Sequence, residues 1–415
     1  MNRFAALLIS TTALALGGCM VQETKPLPKV VAVQATTQIP QNELLDVGIR
    51  EFDAGIPADK ATDTEALAKM RIYPDLRKAE TRYLPTLLRQ TLESSAQWGA
   101  VRVVPQNTES ADLLVSGEIL ESTGQKLVLK ISARDSASRV WIDAKRYASP
   151  ADLGSYKSAE ALKARDPFQN VYAQIANDLL AARQKLSASE KQDLQRLTRL
   201  KFARDLAPAA MDGFAEADKK GVLRVIRLPA TNDPFVERID RIRERDDVVI
   251  DTVNGYYSSF ADKIHDSYAG WRQTSYTEIE KEDRARSSAR MRAGLGAAAV
   301  LASILVPDQC AGDAYTCRNV QSAARTAGAV GGIAAVLSGI QKFSDARTHA
   351  ESLKELSESF QAEVTPQLID IEGRTLRLTG TAEEQYKEWR KLLRQIYLEE
   401  TGTGDVVGTA AIPAS

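Results

Sequence analysis

The stretch ADLLVSGEILESTGQKLVLKISAR, residues 111–134, decides how the front half of this chain folds. Leu113, Val115, Gly117 and Ile119 recur at every second position, and Leu127, Leu129, Ile131 and Ala133 alternate with Lys126, Lys130 and Arg134. Period-two alternation gives each run one apolar face, and Thr123-Gly124 between them predicts a hairpin. Working outward, residues 100–104 form a short strand before the pair, and residues 139–147 form one after it, past a turn at Asp135 to Ser138. Further upstream, LLDVGIREF (44–52) sets Leu45, Val47 and Ile49 on one strand face, and a charged, threonine-rich loop follows. Pro85 then opens a helical pattern in which Leu84, Leu87, Leu88, Thr91, Leu92 and Ser95 recur at threes and fours, with Gly99 where a helix stops. Downstream, Asp166 fits an N-cap, Pro167 the first helical position and Gln169 the third residue of a capping box. The buried stripe of that helix is Phe168, Val171, Tyr172, Ile175 and Leu179. The expectation is an α+β chain whose first folded unit is a mixed-sheet α/β domain over residues 41–185.

The rest reads as mainly helical. Ser187-x-x-Glu190 starts a helix ending near Pro208, and Val222 to Leu228 alternates as a short strand. Asp233-Pro234 opens a long pattern in which Phe235, Ile239, Ile242, Val249, Val253, Tyr256, Phe260, Ile264 and Trp271 keep a spacing near 3.5. Its other face, as in ERIDRIRERDD (237–247), interleaves acid and base within helical reach, which reads as a solvated face. A seam of this kind also fits a coiled-coil-like partner contact. This helical region spans 186–285.

Residues 286–345 differ in kind. Ala293 to Val306 and Ala327 to Ile340 are almost wholly Ala, Gly, Val, Leu and Ile, with small residues every fourth position at 285, 289, 293 and 297 and again at 327, 331, 335 and 339. Such spacing lets two helix backbones approach closely. Each run has 14 residues, short of the ~20 that span a bilayer. Two readings stand. One is a tight antiparallel hairpin packed on the protein's own domains or on other copies. The other is shallow insertion with Arg290, Arg292 and Arg325 at the headgroups. A helix over 346–362, a hairpin about Glu372-Gly373-Arg374 and an amphipathic helix from Ala382 to Leu398 complete a C-terminal piece over 346–400, and 401–415 reads as a disordered tail.

The N-terminus addresses the chain. Arg3, the 13-residue segment Phe4 to Leu16 and then Leu16-Gly17-Gly18-Cys19 resemble a bacterial secretory signal ending in a lipobox, too short for a membrane span. The resemblance implies a signal peptide over 1–18, cleavage before Cys19, a diacylglyceryl thioether on its sulfur and a further acyl chain on its amine, which together anchor stably. Met20, where an aspartate would retain the protein at the inner membrane, points to the periplasmic face of the outer membrane. Residues 19–40, with Pro26, Pro28 and Pro40 and no core-forming period, read as a lipid-anchored tether reaching ~70 Å when extended.

Without Arg3 the mature chain carries 53 basic residues (54 less one) against 55 acidic, so no basic excess points to nucleic acid. With Cys19 acylated, Cys310 and Cys317 remain in an oxidising compartment and are expected to form a disulfide, the alternative being two free thiols.

The order strand, helix, several strands, helix in a lipoprotein setting resembles the α/β domain of TolB amino-terminal regions, of the curli-secretion lipoprotein and of the lipoprotein activators of peptidoglycan synthases. The segments DPFQNVYAQIANDLLAAR (166–183) and RYLPTLLRQTLESSAQWGAVRVVP (82–105) are similar to a family of uncharacterised proteobacterial outer-membrane lipoproteins, which implies no activity.

His265 and His349 stand far apart without neighbouring ligands, so no metal site or cofactor is expected, and both are read as surface residues. Neither GxSxG, HExxH nor GxxxxGK[ST] occurs. Residues 294–299 mimic a dinucleotide loop but follow an arginine-rich helix where a strand is required. Asp246 and Asp247 are helix neighbours that point apart, wrong for paired acid–base work. The expectation is a non-catalytic envelope assembly or scaffold factor, held to the bilayer by Cys19, binding periplasmic or envelope proteins and self-associating through its helices. The alternatives are a secretion or export component with a membrane-inserted hairpin, and an envelope hydrolase with an unrecognised site.

Overall fold

The computed structural model describes residues 27–208, 212–230, 233–305, 367–371, 374–378 and 381–401. The signal peptide, Cys19, Cys310, Cys317, the second small-residue arm, helix 346–362, His349 and residues 402–415 lie outside them. The chain is α+β. Strands β1 (Val47–Arg50), β2 (Val101–Val104), β3 (Leu113–Ser122), β4 (Lys126–Asp135) and β5 (Val140–Pro150) form a mixed sheet ordered β2-β1-β3-β4-β5. β1 runs parallel to both β2 and β3, and the remaining pairs are antiparallel. A parallel β1–β2 pair requires a crossover, supplied by α1 (Thr64–Lys69) and α2 (Pro74–Ser94). Helices α3 (Ala159–Ala164) and α4 (Gln169–Arg183) follow β5.

The alternation in 111–134 has the expected consequence. Leu113, Val115, Ile119, Leu127, Leu129 and Ile131 are buried with Val47 and Ile49 in one cluster against Leu84, Leu88 and Leu92 of α2 and Val171, Ile175 and Leu179 of α4. Leu113 pairs with Asp135 and Ile119 with Leu129, with a bulge between Ile119 and Glu121.

Two local expectations give way to tertiary bonding. Pro85 does not open α2 but lies inside it. A proline there leaves the carbonyl four residues back without its helical N–H. That carbonyl, Thr81 O, instead accepts the backbone N–H of Phe52 just past β1, at 2.9 Å. Gln169 forms no capping box, since its side chain donates to Thr91 Oγ1 at 2.9 Å and ties α4 to α2. The helix starts at Gln169 with Phe168 as its uncapped N-cap, so Asp166 and Pro167 lie before it rather than at the N-cap and first helical position, and Asp166 closes the preceding turn by accepting Phe168 N–H at 2.8 Å. The threonine-rich loop carries α1, capped by Asp63 Oδ1 on Ala66 N–H at 2.9 Å.

After α5 (Ala188–Leu206), whose Ser187/Glu190 capping box forms in full, a small ribbon pairs β6 (Ala215–Ala217) with β7 (Leu223–Val225). Then comes α6 (Pro234–Leu305), a single 72-residue helix. Its buried positions follow an eleven-residue repeat: Ile239, Ile250, Ala261 and Arg272; Ile242, Val253, Ile264 and Ser275; Asp246, Tyr257, Tyr268 and Ile279; Val249, Phe260 and Trp271. Eleven residues over three turns is the period of a nearly straight helix, whereas a heptad seam would wind into a left-handed supercoil. The drift from 3.5 is why Tyr257, rather than Tyr256, enters the seam. The face is covered by the chain's own core, not by a coiled-coil partner.

One stretch of α6, Phe260 to Trp271, belongs to the first core, while Ile239, Ile242, Val249 and Ile250 build a second with Leu200, Phe202 and Leu206 of α5 and Tyr386, Trp389, Leu393 and Ile396 of α7 (Ala382–Thr401). Leu194 and Leu197 of α5 join the first core as well, so the expected boundary at 185/186 separates no cores. Strands β8 (Gln367–Ile371) and β9 (Arg374–Leu378) form the expected hairpin ahead of α7.

Gly124 shows how closely α6 lies. A Cβ there would stand 2.1 Å from Arg272 O and 2.4 Å from Tyr276 N. The hairpin's glycine is required less by its own turn than by the helix backbone resting on it.

Candidate functional site

The expected tether is largely an extended strap laid on the α/β domain. Asn170 accepts Val30 N–H at 2.9 Å and donates to Pro28 O at 3.0 Å. Two turns along α4, Asn177 repeats the pattern, accepting Val33 N–H at 2.9 Å and donating to Val31 O at 3.0 Å. Arg165 Nη2 adds a bond to Val30 O at 3.2 Å, and Ala35 N–H donates to Ser95 O at 2.8 Å. An asparagine amide carries one acceptor and two donors, so it can replace a neighbouring strand for an extended segment. Ala32 is buried in the first core, whereas Val31 and Val33 face outward, 65% and 52% exposed. The sequence signal is the seven-residue spacing of Asn170 and Asn177 on α4, which the helical reading passed over.

The histidine and the paired aspartates take structural places. His265 is half-buried rather than on the surface, its Nδ1 2.9 Å from the hydroxyl of buried Tyr83. Asp246 is fully buried, accepting Trp389 Nε1 at 3.0 Å and pairing with Arg390 at 3.1 Å, so it locks α7 onto α6. Burial raises its carboxyl to about 6 against the pull of Arg390. Asp247 points elsewhere and sits half-buried; burial raises it too. Residues 294–299 continue α6, so no strand precedes that glycine pair. Among the described residues no group of His, Cys, Asp and Glu could hold a metal, and no helix is long and apolar enough to cross a membrane.

A buried polar cluster joins α6 to α2 and α4. Glu80, wholly enclosed, accepts Tyr268 Oη at 2.5 Å and the Ser122 hydroxyl. Arg272, 1% exposed, pairs with Asp166 at 2.7 Å and lies over the Phe168 and Tyr268 rings at 4.8 and 4.2 Å. Asp166 holds its guanidinium charged despite burial. These groups face one another, so the cluster is a structural joint.

The opposite face of the sheet is different. Ile49 pairs with Val115 and Ser116 with Ser132, so Arg50, Ser116 and Ser132 stand in one row across β1, β3 and β4, with Arg134 two residues on. These side chains line a cavity of about 210 Å³ with Lys201 of α5, Glu109 and Ala111 of the preceding loop, and Ser136 and Ser138 of the β4–β5 turn. Arg50 donates to Thr108 O at 2.9 Å and pairs with Glu109 at 2.7 Å. Asp135 holds Arg139 at 2.8 Å and Trp141 Nε1 at 2.9 Å. Lys201, half-buried, and Arg134, exposed, have no ion pair or hydrogen bond among the described residues, and burial pulls the Lys201 ammonium below the ordinary lysine range against the opposing pull of Glu109 and Asp135.

Comparison with protein-family models, with curated proteins and with solved structures finds no match to this chain.

Proposed function

We propose that this chain is an outer-membrane lipoprotein, acylated at Cys19, that acts without catalysis as a cell-envelope assembly or scaffold factor for periplasmic protein partners. The strap carries this reading. From Cys19 to Pro28 a chain covers at most about 30 Å, against ~70 Å had residues 19–40 been free. Acylation would therefore hold the α/β domain beside the bilayer, with Val31 and Val33 outward in an extended segment close to the anchor. Exposed apolar side chains on a fixed, extended backbone suit a protein partner.

The test places a photoreactive side chain at Val31 or Val33 of the full-length protein in cells, with Lys145 on β5 as control. Discrete protein adducts from the strap and none from the control are expected. Adducts to lipid only, or none, would remove the scaffold reading. Mass spectrometry of the purified chain showing an uncleaved leader or an unacylated Cys19 would remove its location.

A further inference from the structure

We propose that the cavity over β1, β3 and β4 is a binding site for a phosphate-like anion, independent of any partner held by the strap. Charge accounting is the first argument. The lining carries three cations, Arg50, Arg134 and Lys201, against two carboxylates, Glu109 and Asp135, a net of +1, and both carboxylates are already bound, Glu109 to Arg50 and Asp135 to Arg139. That positive excess attracts an anion, and a phosphomonoester near neutral pH carries a charge of about −1.5 to −2. Lys201 is partly buried with no ion pair among the described residues, and although Glu109 and Asp135 support its charge, burial prevails; a bound anion would offset that cost.

Geometry selects the class of anion. Arg50 and Arg134 stand on strands separated by β3 and are offset by two residues, hence about 12 Å apart at the backbone, while Lys201 enters from α5. Donors spread over three elements suit a tetrahedral oxyanion better than a planar carboxylate, which one guanidinium fork satisfies. Hydroxyls complete the set. Ser116 Oγ has no hydrogen bond among the described residues. Ser132 Oγ accepts the Ala144 N–H at 3.1 Å and keeps its own proton to donate. Arg50 Nε, buried and without a partner, is a further donor beside the cavity. At about 210 Å³ the space equals roughly seven waters of bulk liquid, room for a phosphate and part of whatever bears it.

The experiment titrates the purified full mature chain, in detergent at pH 7.5, with inorganic phosphate and separately with dihexanoyl phosphatidic acid, read by calorimetry. Saturable binding in the millimolar range or tighter is expected. Lys201→Gln and Arg134→Gln should each weaken it about tenfold, since each removes a charge-assisted bond. Lys201→Arg, which keeps the charge, should retain binding and guards against loss of fold. Lys130→Gln, on the same sheet face but paired with Glu118 outside the cavity, should leave affinity unchanged. Tighter binding of the phosphatidic acid than of phosphate assigns the site to a lipid headgroup, and the reverse order assigns it to a soluble phosphate ester. No saturation by either probe at about 10 mM, acetate binding as well as phosphate, or full affinity in the Lys201→Gln/Arg134→Gln double variant would overturn the proposal.

Discussion

Replacing Asn170 and Asn177 together by alanine should lift the strap from the domain while leaving the sheet folded. The double variant deletes the four hydrogen bonds that tie the strap to α4, those to Val30 N–H, Pro28 O, Val33 N–H and Val31 O, and with them the bond from Arg165 to Asn170 Oδ1. The first pair is part-buried and the second exposed, so roughly 0.5–1 kcal/mol each is a fair weight, about 2–4 kcal/mol in all. What remains is the Ala35–Ser95 backbone bond, the Arg165 contact to Val30 O, a long Gln97 bond to Val33 O at 3.4 Å, the burial of Ala32 and the packing of Val30 on the first core. Opening free energy converts to exchange rate at 1.4 kcal/mol per decade, so the Val30 and Val33 amides should exchange about 30- to 700-fold faster. Amides of β3 and β4 should be unaffected, because neither asparagine touches the sheet in these bonds. Native-state hydrogen exchange read by mass spectrometry on the mature chain measures both. Asn170→Asp is an informative companion, since a carboxylate still accepts from Val30 and Arg165 but cannot donate to Pro28 O, and it should give an intermediate rate. Unchanged exchange at Val30 and Val33 in the double variant would show that the asparagines do not hold the strap, and the short-reach argument for a membrane-proximal domain would go with them.

Two further changes probe the packing. Burial raises the Asp112 carboxyl from 3.8 to about 6 against its bonds from Thr198 Oγ1 and Asp46 N–H. The folded protein therefore binds that proton more tightly than the unfolded chain, giving about 3 kcal/mol that is present below pH ~4 and lost as pH rises through about 6. Denaturant titrations at pH 4, 5 and 7.5 should show Asp112→Asn flattening the wild-type decline, and parallel curves would refute the assignment. Gly124→Ala forces a methyl against the α6 backbone and should cost about 2–3 kcal/mol. Gly255→Ala, mid-helix with nothing within 4 Å, should instead stabilise by about 0.5–1 kcal/mol in the same melts.

How much of this was legible depended on whether a bond was local. The alternation in 111–134 announces a half-buried hairpin because period two has one structural meaning, and Ser187-x-x-Glu190 announces a helix start because both partners lie within one turn. Pro85 misled for the opposite reason. Its cost to a helix is a local fact, but the group that relieves it, Phe52 N–H, arrives from 33 residues away in the chain (85 less 52). Gln169 likewise abandons a local cap for Thr91 on another helix. The strap was invisible on the same principle, since nothing in residues 28–35 shows a period, and the partners are two amides on α4.

The cavity was the least legible feature, and the reason bears on how such sites are found. Arg50, Ser116, Ser132, Arg134 and Lys201 lie on four elements, and each alone reads as an ordinary polar residue on a solvated face. They become a group only through register: β1 pairs with β3, β3 with β4, and the shared parity turns their even-numbered side chains to one face. A slip of one residue in β3 against β4 would send Ser116 into the core and Val115 toward Arg134. The core therefore sets the site. The leucines and isoleucines buried against α2 and α4 enforce the register that brings the cations together, so a binding loss caused by repacking that core should come with lost stability, whereas Lys201→Gln should lose binding alone.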